Sequence, residues 1–176
     1  DSECTSSPVT SSQTKLLFIK MELCDSTLAT WIKERSCGLL FDSKPGDEIR
    51  IMTQITSGLA FLHSTSVAVL HNDLKPSNIG LLGGTVKLLD FGLTAGLGKA
   101  VGCGTPMYQA PEVARTRESD VFSLGVIFME ILLTCQGYSS GEQRQSILWQ
   151  ARQSMEWASV ADRLAWALYE TLFRRM

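Results

Sequence analysis

The stretch from His71 to Asp90 constrains this chain more than any other. Two short apolar runs, Ile79 to Leu82 and Val86 to Leu89, flank Gly83-Gly84, the signature of a β-hairpin. A hairpin returns the chain to where it started. The polar residues ahead of it, Asp73, Lys75 and Asn78, are therefore expected beside the Asp90 that follows it. Taken singly, Asp73 reads best as a helix cap, Asn78 as a turn residue and Asp90-Phe91-Gly92 as a strand end. Together those readings fail, because all four polar groups border one hairpin.

At 176 residues the chain is long enough for one domain with a sizeable core. A formal net charge of −2 gives no electrostatic case for a direct nucleic-acid or membrane partner. The strongest apolar stretch, Val121 to Cys135, has Asp120 at its start and Glu130 inside it. It is too short and too charged for a span, which needs about 20 apolar residues, and reads as a buried helix. The N-terminus opens on Asp, Ser and Glu and shows no secretory signal. The five cysteines (Cys4, Cys24, Cys37, Cys103, Cys135) are odd in number, and no pair has Cys-x-x-Cys spacing. Neither zinc nor a disulfide framework is indicated; reduced thiols in a cytoplasmic protein are expected.

Residues 1–14 are rich in Ser and Thr and read as the flexible end of an insert. Leu16 to Met21 suggests an edge strand. Ser26 is placed to cap a short helix with Leu28, Trp31 and Ile32 facing inward. From Asp47 to His63, the spacing of Ile49, Met52, Ile55, Leu59 and Leu62 predicts a packed amphipathic helix. Asp120 to Leu133 is apolar nearly all round and belongs at the centre of a helical domain. Helical periodicity returns from Glu142, with Leu164, Leu168 and Leu172 on one stripe. Trp149 and Trp157 are expected in the core. The fold class is therefore mainly α, a helical bundle with one or two small hairpins.

The polar cluster suits transfer of a phosphoryl group, which needs positioning and charge neutralisation more than covalent chemistry. Asp73 is the candidate base for a substrate hydroxyl. Lys75 brings an ammonium to the transferring phosphate. Asn78 and Asp90 are hard oxygen donors suited to Mg²⁺. His71, beside an apolar strand, reads as a packed structural histidine.

The run His71-Asn72-Asp73-Leu74-Lys75-Pro76-Ser77-Asn78, then Asp90-Phe91-Gly92, then Ala110-Pro111-Glu112, resembles the ordered motifs of eukaryotic protein kinases. From about Leu16 to Met176 the chain is similar to their large, C-terminal lobe, and Asp-Leu-Lys-Pro-x-Asn is the pattern of the serine/threonine branch. The resemblance implies a protein serine/threonine kinase using ATP and Mg²⁺. It divides the chain into an insert end (1–14), a last small-lobe strand and hinge (15–25), and a large lobe cut short at its C-terminus (26–176). It implies that backbone groups of Met21-Glu22-Leu23-Cys24 meet the adenine and that Gly80 lies beneath it. It places Thr94 and Thr105 in the activation and substrate-receiving segment, with the Thr105 hydroxyl bonded to Asp73 and Lys75. Phe91, Glu112 and Asp120 take structural roles, Asp120 by holding the catalytic-loop backbone.

The hinge segment and Asp-Leu-Lys-Pro-Ser-Asn-Ile look like the kinases of the eukaryotic initiation factor two alpha subunit. That resemblance implies this subunit as protein substrate, docking through Arg144 and Arg152, and a homodimer formed through a small lobe. No Gly-rich phosphate loop, strand lysine or partner glutamate is found, so the chain reads as a fragment not active alone.

Two residues depart from the family pattern. Gly80 stands where kinases place an apolar floor under adenine, and weaker nucleotide binding is expected from losing that side chain. Asn72 replaces the arginine that grips a phosphorylated activation loop, and an amide cannot hold a dianion as a guanidinium does. These departures define the alternative of a pseudokinase or scaffold with weak nucleotide binding. A small-molecule phosphotransferase would share His-x-Asp, Asn and Asp but has no use for Gly-Thr-x-x-Tyr-x-Ala-Pro-Glu. Because of Asn72, phosphorylation of Thr94 or Thr105 is expected to change the full-length protein's activity little. A large gain over phosphatase-stripped enzyme would contradict that reading.

Overall fold

A computed structural model describes residues 20–38, 46–90, 105–112, 115–135, 138 and 140–154. Within them lie a two-residue strand β1 (Ser26–Thr27), helices α1 (Leu28–Ser36) and α2 (Asp47–His63), and a 3-10 turn at Pro76–Asn78. Strands β2 (Ile79–Leu82) and β3 (Thr85–Leu88) follow, then helices α3 (Arg117–Cys135) and α4 (Gly141–Ser154). The expected insert, the edge strand up to Ile19 and the stripe from Leu164 to Leu172 lie outside the described residues, as does Trp157.

The hairpin forms where the glycines predict it. β2 and β3 pair antiparallel, with Leu82 opposite Thr85, and Gly83 and Gly84 both take positive φ in the turn. A third strand joins it: Ser26 pairs with Leu81 and Thr27 with Gly80. Asp25 reinforces this edge, its N–H donating to the Leu81 carbonyl and its carboxylate accepting from Gly83 N–H, both at 2.9 Å. The expected strand ending at Met21 does not reach that far: residues 20–24 are irregular.

Thr27, not Ser26, caps α1. Its extended backbone lets its side chain accept from Thr30 N–H at 3.3 Å, the role expected one residue earlier. Leu28, Trp31 and Ile32 are buried as their spacing predicts. In α2 the inward stripe is Glu48, Ile51, Ile55 and Leu59, rotated from the expected one. Ile49 is 40% exposed whereas Ile51 is 1% exposed. The rotation accommodates Glu48, which is buried by pairing with Arg35 of α1 and accepting from the Cys135 thiol at 3.4 Å. A buried charge is tolerated only with such partners.

Helix α3 runs longer than its apolar core predicts. Thr116 and Ser119 exchange side-chain-to-amide bonds at its start, a capping arrangement that adds a polar first turn. Ile127 and Ile131 are fully buried against α1 and α2, while Val126 and Leu133 face Leu148 and Ala151 of α4. Two expectations for α4 are overturned. Trp149 is exposed, because the inward positions are Arg144, Leu148 and Ala151. Arg144 is buried and so offers no docking surface; Arg152 is half-buried, stacked on Phe122 and bonded to the Gln109 carbonyl.

Ile127→Ala is expected to destabilise the full-length protein by about 2–5 kcal/mol, and Ile49→Ala by no more than about 0.5 kcal/mol. Urea denaturation measures both, and equal losses would contradict the rotated stripe.

Candidate active site

The segment between α2 and β2 has no regular structure before Pro76, yet it is held at several points. Leu70 and Leu74 are buried apolar anchors. The main anchor is polar: Asp120, in the first turn of α3, accepts the backbone N–H of His71 and of Asn72, each at 2.9 Å. His63 Nε2 donates to the same carboxylate at 2.8 Å. The Arg115 guanidinium reaches the Asn72 carbonyl at 2.7 Å. Asn72 takes φ 65, a left-handed conformation that asparagine adopts more readily than most residues.

His71 is fully buried. Its Nε2 lies 3.0 Å from the Leu89 carbonyl, and its Nδ1 faces the Asp73 N–H at 3.4 Å. One nitrogen must donate and the other accept, which assigns a neutral ring protonated on Nε2. Burial lowers its pKa in keeping with that form, against the opposing pull of Asp120. The histidine thereby ties the loop to the far end of the hairpin.

The structure brings the loop's polar groups together. Asp73 Oδ2 lies 2.7 Å from Lys75 Nζ and accepts from Asn78 Nδ2 at 3.0 Å. The same amide nitrogen donates to the Asp73 carbonyl at 2.9 Å. Asp73 Oδ1 accepts from the backbone N–H of Thr105 at 3.3 Å, so the expected contact with Thr105 runs through its amide instead of its hydroxyl. Leu89 N–H donates to the Asn78 carbonyl at 2.9 Å, closing the hairpin and setting Asp90 at the same end. Asp90 is exposed, with φ 60.

With Asn78 Nδ2 spent on Asp73, the amide oxygen is the atom left for a cation. Among the described residues no three His, Cys, Asp or Glu side chains form a metal cage. An amide oxygen and one carboxylate fit Mg²⁺, which takes its remaining ligands from phosphates and water.

Met21 and Glu22 are exposed, and Glu22 pairs with Lys87 at 3.0 Å. Cys24 turns toward the hairpin and corrects the expectation for Gly80. A Cβ at position 80 would stand 2.5 Å from Cys24 Sγ and 3.0 Å from Leu89 Cδ1. The missing side chain leaves no gap, because a thiol and a leucine fill its place. Glu112 is exposed; Phe91 and Thr94 lie outside the described residues.

Sequence reasoning missed His63 and Arg115, whose partners are 57 and 43 residues away along the chain. It also missed the bond from Tyr108 OH to Glu130 at 2.7 Å. A carboxylate inside an otherwise apolar helix was the one available signal for the last.

A sequence model described as the protein kinase domain matches residues 6–173. The interferon-induced, double-stranded RNA-activated protein kinase of Rattus norvegicus is 35% identical over 136 residues, covering 70% of this chain and 26% of that protein. A Wee1-like protein kinase of Oryza sativa is 34% identical over 142 residues, covering 77% and 26%. A probable cell cycle serine/threonine-protein kinase, a CDC5 homolog of Encephalitozoon cuniculi, is 38% identical over 128 residues, covering 66% and 26%. The chain thus spans about a quarter of the length of these relatives.

Gly80→Leu is expected to cost about 1–3 kcal/mol by overpacking, with no gain in nucleotide affinity. Combining it with Cys24→Gly is expected to recover much of that loss. Thermal denaturation and nucleotide titration of the single and double variants check this, and independent, additive effects would contradict the packing.

Proposed function

The chain belongs to the protein kinase domain family, and on that premise we propose that it forms the large lobe of a serine/threonine kinase phosphorylating protein hydroxyls. The observation that carries the reading is the Asp73–Lys75–Asn78 constellation, bonded at 2.7 and 3.0 Å and closed onto the hairpin end that bears Asp90. Asp73 orients the substrate hydroxyl and accepts its proton as the oxygen bonds to phosphorus. Lys75 Nζ, already on Asp73 Oδ2, sets a positive charge beside that oxygen. Asn78, through its amide oxygen, and Asp90 hold Mg²⁺. Bound ATP supplies the γ-phosphoryl group, which leaves the β-phosphate oxygen, and Mg²⁺ supplies charge neutralisation.

Thr105 aligns Asp73 through its backbone amide, and Asp120 positions the loop. The backbone from Met21 to Cys24 is the proposed adenine edge, with Cys24 and Leu89 forming its floor around Gly80. Phe91 and Glu112 are given structural roles, and Thr94 lies in the proposed activation segment.

The initiation factor two alpha subunit is the proposed protein substrate, supported by the resemblance of the segment around Met21-Glu22-Leu23-Cys24. Wee1-like and CDC5-like kinases share comparable identity, so the coarser serine/threonine assignment does not depend on that substrate. Cys24, Cys37 and Cys135 are free thiols, which supports the proposed cytoplasmic setting. Among the described residues no helix is long and apolar enough to cross a membrane.

Asp73→Asn in the full-length protein is expected to lower kcat by roughly 10²- to 10⁴-fold with little change in the KM for ATP. Radiolabelled phosphate transfer to a protein substrate measures it. Undiminished transfer by a folded variant would overturn the assignment.

A further inference from the structure

We propose that Arg115 is a positioning residue for phosphoryl transfer, holding the peptide unit that precedes Asp73 in the orientation that aims its carboxylate. This rests on the kinase reading above and adds a residue to its machinery.

The peptide unit between Asn72 and Asp73 is planar, so its carbonyl and its N–H point opposite ways and turn together. Two soft torsions adjoin it, ψ of Asn72 and φ of Asp73, and these set where the Asp73 side chain leaves the loop. The unit is gripped unequally. At one end Arg115 Nη1 donates to the Asn72 carbonyl at 2.7 Å, a short, charge-assisted bond. At the other, the Asp73 N–H meets His71 Nδ1 at 3.4 Å, longer than an ordinary hydrogen bond. Asp120 acts earlier in the loop, on the N–H of His71 and of Asn72, and does not fix the peptide after Asn72.

The φ of 65 at Asn72 makes the second grip necessary. A backbone in a sparsely populated region persists only where its surroundings over-determine it. Arg115 immediately precedes Thr116, which exchanges bonds with Ser119 at the start of α3, the helix that carries Asp120. One helix start therefore presents an anion to the loop's amides and a cation to its carbonyl.

A cavity of about 30 Å³ borders Asn72, Arg115, Ser119 and Asp120, room for one water among polar partners. With the guanidinium removed, water entering there satisfies the Asn72 carbonyl without fixing its direction. The loss then falls on alignment more than on stability, and a misplacement of 1 Å is enough to cost about 10²-fold in rate.

The test uses the full-length kinase and Arg115→Met, which keeps the stem and removes the donors. Its kcat is expected to fall roughly 10- to 100-fold, with the KM for ATP within about twofold of wild type. Arg115→Lys, which restores a charged donor, should recover part of that loss. In an Asp73→Asn background, Arg115→Met should cost less than about twofold more, because the residue acts through that carboxylate. If thermal denaturation shows Arg115→Met unfolded, Arg115→Gln takes its place in the same cycle. Unchanged kcat, a loss confined to KM, no recovery by lysine, or a fully additive loss beside Asp73→Asn would overturn the proposal. No phosphate transfer by wild type would overturn the kinase reading itself, whereas transfer with additive variants would overturn the role of Arg115 alone.

Discussion

The Asp120 carboxylate is the joint on which the site depends. It is 2% exposed and lies in the first turn of α3, the most buried helix among the described residues, where the positive end of the helix dipole favours an acid. Such a charge is tolerable only when donors surround it, and among the described residues it has three, from His63, His71 and Asn72. Two are backbone amides of a loop with no ladder of its own to satisfy them. Leaving a buried amide unsatisfied costs about 1–3 kcal/mol, so the carboxylate and the loop need each other. Asp73 follows directly on the second amide, and its position is inherited from a side chain 47 residues further along the chain.

Of the three non-glycine residues with left-handed φ among the described residues, Ala68, Asn72 and Asp90, the last two sit at the ends of this device. Asn72 and Asp90 both have left-handed φ, a conformation costing a non-glycine residue on the order of 1 kcal/mol or more. Hydrogen bonds on each side hold the strain in place. The N–H of Asn72 is taken by Asp120 and its carbonyl by Arg115. The residue before Asp90, Leu89, has its N–H on Asn78 and its carbonyl on His71. The same two anchors therefore aim the proposed base and the proposed metal carboxylate, and the His71 imidazole touches both ends.

What was legible in the sequence followed from local rules. Paired glycines between apolar runs specify the hairpin, 3.6-residue spacing specifies the helix around Ile55, and a stretch apolar nearly all round specifies the helix around Ile127. Order and separation of the short motifs point to Asp73, Lys75, Asn78 and Asp90. Local rules failed where a distant partner decided the outcome. The stripe of α2 is rotated because Arg35 and Cys135 receive Glu48, and no window of α2 contains either. Gly80 looks like a loss when read alone and becomes a fit once Cys24 is seen against it. Arg144, on a helix of polar composition, passes for a surface residue until Ser36 and the Tyr138 carbonyl enclose it.

Buried polar groups at the α3–α4 junction serve shape more than stability. Burying Glu130, Tyr108 and Arg144 together returns little net free energy, since desolvation offsets most of the attraction. Apolar contact is non-directional, so Val126 and Leu133 against Leu148 would tolerate a sliding or rotated α4. Directional bonds do not. Tyr108 belongs to the segment that begins at Thr105, Glu130 to α3, Arg144 to α4 and Ser36 to α1. Four elements around the cavity of about 580 Å³ beside Asp73 are thus tied in two bonded pairs, the Thr105 segment to α3 and α4 to α1. The groove keeps its width because these walls are tied through polar atoms.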